Sequence, residues 1–245
     1  MGPFGELRAS TVSSRLFLFD VDGTLVRLDG AGRRALAAAF QEVFRVAGAA
    51  RAMELIRFDG CTDRAILSEA VRHMGLDAAE FARAAAEFES SYLRHLNDLI
   101  SALGPKGVLP SVVALLETLE QQGAGLGLLT GNSEPGARAK LEPFGLNRFF
   151  PTGAFGSEHH DRVVLADLAH RRLEQHGRRR FARRDVFVLG DSVMDVRCGR
   201  AHGYSTVAVA TGWTSRELLA AESPDYLLDH LGELLPALAA GSAHP

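Results

Sequence analysis

Lysine is nearly absent from this chain. Only Lys106 and Lys140 occur, so almost all of the positive charge is arginine. Cysteine is equally scarce: Cys61 and Cys198 cannot make a disulfide framework, and they lack metal-ligand spacing. Both read as small buried hydrophobes in a reducing compartment. No apolar run approaches the ~18 residues of a membrane span, so no membrane partner is expected. Residues 1–14 lack the basic start and apolar centre of a secretion signal, and their Gly, Pro and Ser content reads as a loose tail. The expected localisation is therefore cytoplasmic. A net charge of −3 argues against a nucleic-acid partner. Internal repeats and low-complexity blocks are lacking too.

What is present is a core-forming sequence. The 245 residues are 47% hydrophobic, enough for one large α/β domain or a core with a smaller insert. The stretch Leu16-Phe17-Leu18-Phe19 reads as a strand buried on both faces of a parallel sheet. It stops at Asp20 and Asp22, followed by Gly23 and Thr24. Open α/β sheets place their chemistry at the carboxyl ends of the strands. Two acids at that edge need a positive partner, and Mg²⁺ suits hard carboxylate oxygens. The plainer reading of Asp-Gly at a strand end is a turn, and the rest of the chain decides between the two.

Leu25 to Leu28 reads as one arm of a turn or flap over the strand edge, and Asp29-Gly30-Ala31-Gly32 as a flexible joint. From Arg33 the apolar spacing turns helical through Leu36, Ala39, Phe40 and Val43. The helical reading breaks at Phe58–Asp63, resumes through Ile66, Leu67, Val71 and Met74, and continues from Ala78 to Leu103. Gly104-Pro105-Lys106-Gly107 ends it. Helices and strands then alternate: helices at 111–122, 135–144, 161–176, 193–201, 215–220 and 231–238, with strands at 125–130, 149–155, 185–190, 206–210 and 226–228. This alternation predicts a parallel sheet covered on both faces. The expected organisation is an α/β, Rossmann-like core at 15–29 and 105–240, an all-helical cap domain at 30–104, and loose tails at 1–14 and 241–245.

Three further clusters carry chemistry. Thr130-Gly131-Asn132 closes an apolar strand with a hydroxyl and a glycine-exposed backbone, which can hold a phosphate oxygen or simply form a capped turn. Gly190-Asp191-Ser192-Val193-Met194-Asp195 ends another strand, where Asp191 can meet the first acid pair or cap the next helix. Between them, Gly156-Ser157-Glu158-His159-His160-Asp161-Arg162 opens a helix with a cation. In order, these motifs resemble the haloacid dehalogenase superfamily in its phosphatase form, from Leu16 to about Leu238. The helical insert resembles the cap of the phosphoglycolate phosphatase-like subgroup, whose Gly-x-Thr-Asp element matches Gly60-Cys61-Thr62-Asp63. Arg64 follows it and could contact a substrate anion; Thr62 or Asp63 could equally be a helix N-cap.

The resemblance implies a Mg²⁺-dependent phosphatase acting on a small phosphorylated metabolite through an aspartyl phosphate. Asp20 would be the nucleophile and Asp22 the general acid and base. Mg²⁺ would sit on Asp20, the Asp22 backbone carbonyl and Asp191, with Asp195 supporting from behind. Thr130, Gly131, Asn132 and a cation would bind the phosphoryl oxygens. The family uses a lysine for that cation. Here Arg162 is the expected substitute, with Lys140 on a solvated helix face and His159 and His160 at the surface. A dehalogenase needs no acid for an alkoxide, so Asp22 counts against one. A phosphosugar mutase of the same fold remains open, as does a non-catalytic phospho-ligand-binding homologue, although the four acids are all kept. A monomer or a homodimer is expected.

Overall fold

The computed structural model describes residues 12–103 and 107–241. The expected break at residues 104–106 and most of both expected tails lie outside these. Of the first tail, Val12–Ser14 forms a 3₁₀ turn and Val12 is buried in the core. Of the second, Gly241 belongs to the last helix.

Six parallel strands form one sheet. They are β1 (Leu16–Phe19), β2 (Gly125–Thr130), β3 (Gly153–Phe155), β4 (Val186–Gly190), β5 (Ser205–Val209) and β6 (Tyr226–Leu228). Their order is β3-β2-β1-β4-β5-β6, which places the first apolar run in the middle of the sheet. Alternation along β1 divides its side chains between the two faces. Phe17 and Phe19 enter the larger core, where Phe17 stacks on Phe187 at 5.0 Å and Phe19 meets Phe150 edge-on at 5.8 Å. Leu16 and Leu18 enter the opposite core with Leu165, Ala169 and Leu173. Each such fully buried side chain contributes roughly 1.5–3 kcal/mol of transfer free energy.

From the end of β1 to residue 103 every regular element among the described residues is helical: α1 (Ala31–Phe44), α2 (Ala49–Glu54), α3 (Asp63–His73), α4 (Ala78–Arg83) and α5 (Ala85–Ser101). This is the helical cap expected of the fold. Phe40, Phe44, Phe81 and Phe88 join α1, α4 and α5 in an aromatic cluster, with Phe40 and Phe88 at 4.6 Å. Two details depart from the periodicity. The first helix stops at Phe44, because Arg45 and Gly48 take left-handed backbone, and restarts at Ala49. The long helix expected over 78–103 is interrupted at Ala84. Gly32, expected in a joint, lies inside α1.

The chain enters and leaves this insert through two segments bonded to each other. Val26 bridges Asp22 on one side and Val108 on the other; Arg27 N–H donates to Gly107 O at 2.7 Å and Leu109 N–H to Leu25 O at 3.1 Å. The remaining helices cover the sheet: α6 (Val112–Gln121), α7 (Glu134–Leu141), α8 (Arg162–Gly177), α9 (Val193–Ala201), α10 (Arg216–Ala221) and α11 (Leu235–Gly241). The strand expected over 149–155 begins only at Gly153, since Leu146–Phe149 is a 3₁₀ turn that buries Leu146 and Phe149. No helix among the described residues is long and apolar enough to cross a membrane.

Candidate active site

Three neighbouring strands deliver the chemistry to one edge. β1 ends at Phe19, so Asp20 follows it directly, and its N–H donates to Leu189 O of β4 at 2.9 Å. β2 ends on Thr130 and β4 on Gly190, just before Asp191. Asp20, Asp191 and Asp195 each bring an oxygen to within 4.8 Å of the others, and all three are buried. Glycine makes this crowding possible. Gly23 has φ +79°, and a Cβ there would lie 2.5 Å from Asp191 Oδ2.

Arg162 is the first residue of α8, whose N-cap Asp161 accepts the Val163 N–H at 2.9 Å. That cap sets the helix so that a buried guanidinium reaches back under the sheet edge. It pairs with Asp20 Oδ1 at 2.9 Å and with Asp195 Oδ1, and it donates to Leu129 O at 3.3 Å. Its Nε is buried without a partner. Asp195 is fully engaged, because its Oδ2 also accepts from the Ser192 N–H and hydroxyl in a capping box. Asp195 therefore holds Arg162 and α9 in place.

Burial pushes the Asp20 carboxyl up to about 7; Arg162 opposes the rise, and Asp195 and Asp22 add to it. Burial likewise holds Asp191 well above the carboxylate range, with Asp20 adding to it. Burial also disfavours the Arg162 charge, but Asp195 and Asp20 outweigh it and hold the guanidinium above its ordinary value. The edge thus carries more negative charge than its cations balance. Hard oxygen donors with excess charge fit a divalent metal, and Asp20 and Asp191 are the members of the cluster that line the cavity and could hold it.

Asp22 lies apart, its side chain 41% exposed. Its Oδ2 accepts from Lys140 Nζ at 2.6 Å and from Asn132 Nδ2 at 2.8 Å. Lys140 was expected on a solvated face and is instead buried at the site. It shares the inward stripe of α7 with Gly136, Ala137 and Leu141. The i, i+3, i+4 spacing of Ala137, Lys140 and Leu141 was the signal available for it. The backbone amides near Gly131 and Asn132 were expected to hold substrate oxygens; the Asn132 N–H instead donates to Thr130 Oγ1 at 3.3 Å. The Asn132 side-chain amide is used by Asp22, Lys140 and Thr130, whose Oγ1 accepts from Nδ2 at 2.8 Å.

The loop before α3 lies against this edge. Asp63 N–H donates to Gly131 O at 2.6 Å, and Asp63 Oδ2 accepts the Ser133 N–H at 2.7 Å. Burial raises the Asp63 carboxyl, against the pull of Lys140. A Cβ on Gly131 would fall 2.0 Å from Cys61 O. Thr62 caps α3 through Ala65 N–H and donates to His160 O at 3.2 Å. Arg64 donates from Nε to His160 Nε2 at 3.0 Å. Asp63 lines the central cavity, whereas Thr62 and Arg64 join the loop to the 156–160 segment instead. His159 and His160 are exposed, as expected. The cavity, about 440 Å³, brings together Asp20, Asp22, Thr130, Gly131, Asn132, Lys140, Arg162 and Asp191.

A family model described as haloacid dehalogenase-like hydrolase matches residues 15–203. The chain belongs to the haloacid dehalogenase-like hydrolases. It is 31% identical to a phosphoglycolate phosphatase of Synechococcus elongatus over 169 residues, 69% of this chain and 73% of that one. A phosphoglycolate phosphatase of Agrobacterium fabrum is 28% identical over 92% of each chain. Among solved structures, CbbY from Rhodobacter sphaeroides, in complex with xylulose-(1,5)bisphosphate, superposes with a TM-score of 0.70 at 23% identity, covering 91% of this chain and 98% of that one. This haloacid dehalogenase-like hydrolase is an enzyme of the phosphatase kind, phosphoglycolate phosphatase-like in sequence.

Proposed function

We propose that the protein is a Mg²⁺-dependent phosphomonoesterase for a small phosphorylated metabolite, working through an aspartyl phosphate on Asp20. The observation that carries this reading is the division of the two acids. Asp20 is buried against Arg162, while Asp22 keeps one oxygen uncommitted toward the same cavity. A nucleophile and a proton donor need different environments of this kind. Mg²⁺ would be held by Asp20, Asp191 and the Asp22 backbone carbonyl, and would supply charge neutralisation for the phosphate.

The ionised Asp20 oxygen forms a bond to phosphorus as the ester P–O bond breaks. Asp22 gives its proton to the departing alkoxide. Asp22 then takes a proton from water as the water oxygen attacks phosphorus, releasing phosphate and regenerating Asp20. Arg162, whose buried Nε lacks a partner, and the Thr130 hydroxyl are donors for the transferring oxygens. Thr62 and Arg64 act on the loop's seat, and Asp63 faces the substrate. The helical insert formed by α1–α5 is the cap that excludes bulk water.

A cavity of about 440 Å³ accepts a metabolite of glycolate to sugar size. The cytoplasm, where such metabolites reside, is the proposed compartment. The test is a screen of phosphorylated metabolites with Mg²⁺, ranked by kcat/KM, with phosphoglycolate included. Release of inorganic phosphate is expected. Isomerised sugar phosphates without released phosphate would replace this reading by a mutase, and absence of any turnover would end it.

A further inference from the structure

The site contains two buried cations, and only one of them touches Asp20. Arg162 pairs with Asp20 and Asp195 through Nη2. Lys140 makes no contact with that pair; its Nζ bonds Asp22 Oδ2 and Asn132 Oδ1, both at 2.6 Å. Asn132 completes the ring by donating to the same Asp22 oxygen at 2.8 Å and to Thr130 Oγ1 at 2.8 Å. The lysine side chain is only 5% exposed, so the ammonium has little water to hold it elsewhere. Gly32 of α1 leaves its space open: a Cβ there would lie 3.3 Å from Nζ.

We propose that Lys140 is a positioning residue for the proton-transfer step. With Asn132 it fixes one Asp22 oxygen, so that the other is presented to the leaving group at a set angle. The inference rests on the reading of Asp22 as general acid and base. A side chain 41% exposed and without such a clamp would sample several rotamers, and only some would reach the ester oxygen. The chain thus assigns one cation to each reacting carboxylate. Removing Lys140 should spare the attack at phosphorus and impair only the protonation of the departing group.

That selectivity separates positioning from mere structural support. The experiment measures kcat and KM of wild type, Lys140→Met, Lys140→Gln and Asp22→Asn with two esters, a nitrophenyl phosphate and an alkyl phosphate. The first leaves without help from an acid; the second needs it. Methionine fills the stem's volume, and the Asp22 it abandons is hydrated, so the variant keeps its fold.

Lys140→Met should lose at least about tenfold more kcat on the alkyl ester than on the nitrophenyl ester, with KM within about twofold. Glutamine keeps a donor for Asp22 and should recover part of the loss. Asp22→Asn should show the same selectivity more strongly, and adding Lys140→Met to it should bring no further selectivity. Equal losses on both esters, in either folded Lys140 variant, would overturn the assignment. If Asp22→Asn is selective and the Lys140 variants are not, only the role of Lys140 falls. If wild type cleaves neither ester, the phosphatase reading falls and takes this one with it.

Discussion

Replacing Asp20 by Asn should make the metal-free protein more stable above pH 7, while abolishing turnover. Asp20 ionises at about 7 in the fold, against an ordinary value near 3.8. Each pH unit of displacement corresponds to about 1.4 kcal/mol. Ionised Asp20 therefore costs the metal-free fold about 4 kcal/mol at pH 8, an upper figure that relaxation reduces to about 2–4. Asparagine resembles the protonated acid in shape and carries no charge. The sign follows from proton binding. The native state holds this proton between pH 4 and 7 while the unfolded chain has released it, so wild type loses stability as pH rises across that window. The advantage of Asp20→Asn is thus absent near pH 4 and complete above pH 7. At roughly 2–4 °C per kcal/mol for a chain of this size, the gain at pH 8 is about 5–15 °C in Tm. The assay is thermal unfolding of both proteins in EDTA at pH 5, 6, 7 and 8. A variant no more stable than wild type at pH 8, or a gap that does not shrink toward pH 5, would refute the reasoning. With Mg²⁺ added, wild type should gain more than the variant, because the ion binds the ionised carboxylate.

Arg162→Ala should lower kcat by about 10²–10³ or more, with Arg162→Lys restoring part of it, since lysine keeps the charge but not the planar guanidinium whose Nη2 meets both Asp20 and Asp195; a near wild-type kcat for the alanine variant would remove Arg162 from the site. EDTA should stop turnover and Mg²⁺ restore it, whereas Ca²⁺ should not, because its looser coordination misplaces the phosphate; full activity after dialysis against EDTA would end the metal assignment. Gly131→Ala should unseat the loop before α3, because the new methyl would meet Cys61 O at 2.0 Å. Its expected signature is a raised KM and faster proteolysis around residues 57–64, and unchanged kinetics would contradict the close approach.

β1, β2 and β4 were legible because each is a short apolar run that stops at a residue of another chemistry: Asp20, Thr130, Asp191. The acids at those stops were found for the same reason. What periodicity could not deliver is distance across the fold. Lys140 looked like an ordinary helix lysine, because nothing local shows that α7 turns its Ala137-Leu141 stripe toward Asp22. Asn132 was expected to meet substrate through the backbone amides near it, while in the structure its N–H faces Thr130 Oγ1 at 3.3 Å and its side chain bonds Asp22 and Lys140. Arg64 was read as an anion binder from its place beside Asp63, yet its guanidinium turns to His160, 96 positions away in sequence. The helix breaks at Arg45 and Ala84 escaped notice because apolar spacing runs on through both.

The two linkers of the helical insert carry a mechanical consequence. Val26 is at once a rung of the pairing with Val108 and the neighbour of Asp22, and Gly23 N–H donates to Val26 O at 2.8 Å. The pairing of the linkers and the proposed proton donor are thus parts of one ladder. A swing of the insert that moved Val26 would act on the Asp22–Gly23 backbone, while the Asp22 carboxylate is bonded to Lys140 of α7. The proposed acid is thereby held from two sides, its backbone laced to the linkers of the insert and its carboxylate to a lysine of the core, so a displacement of either element would be felt at this one residue.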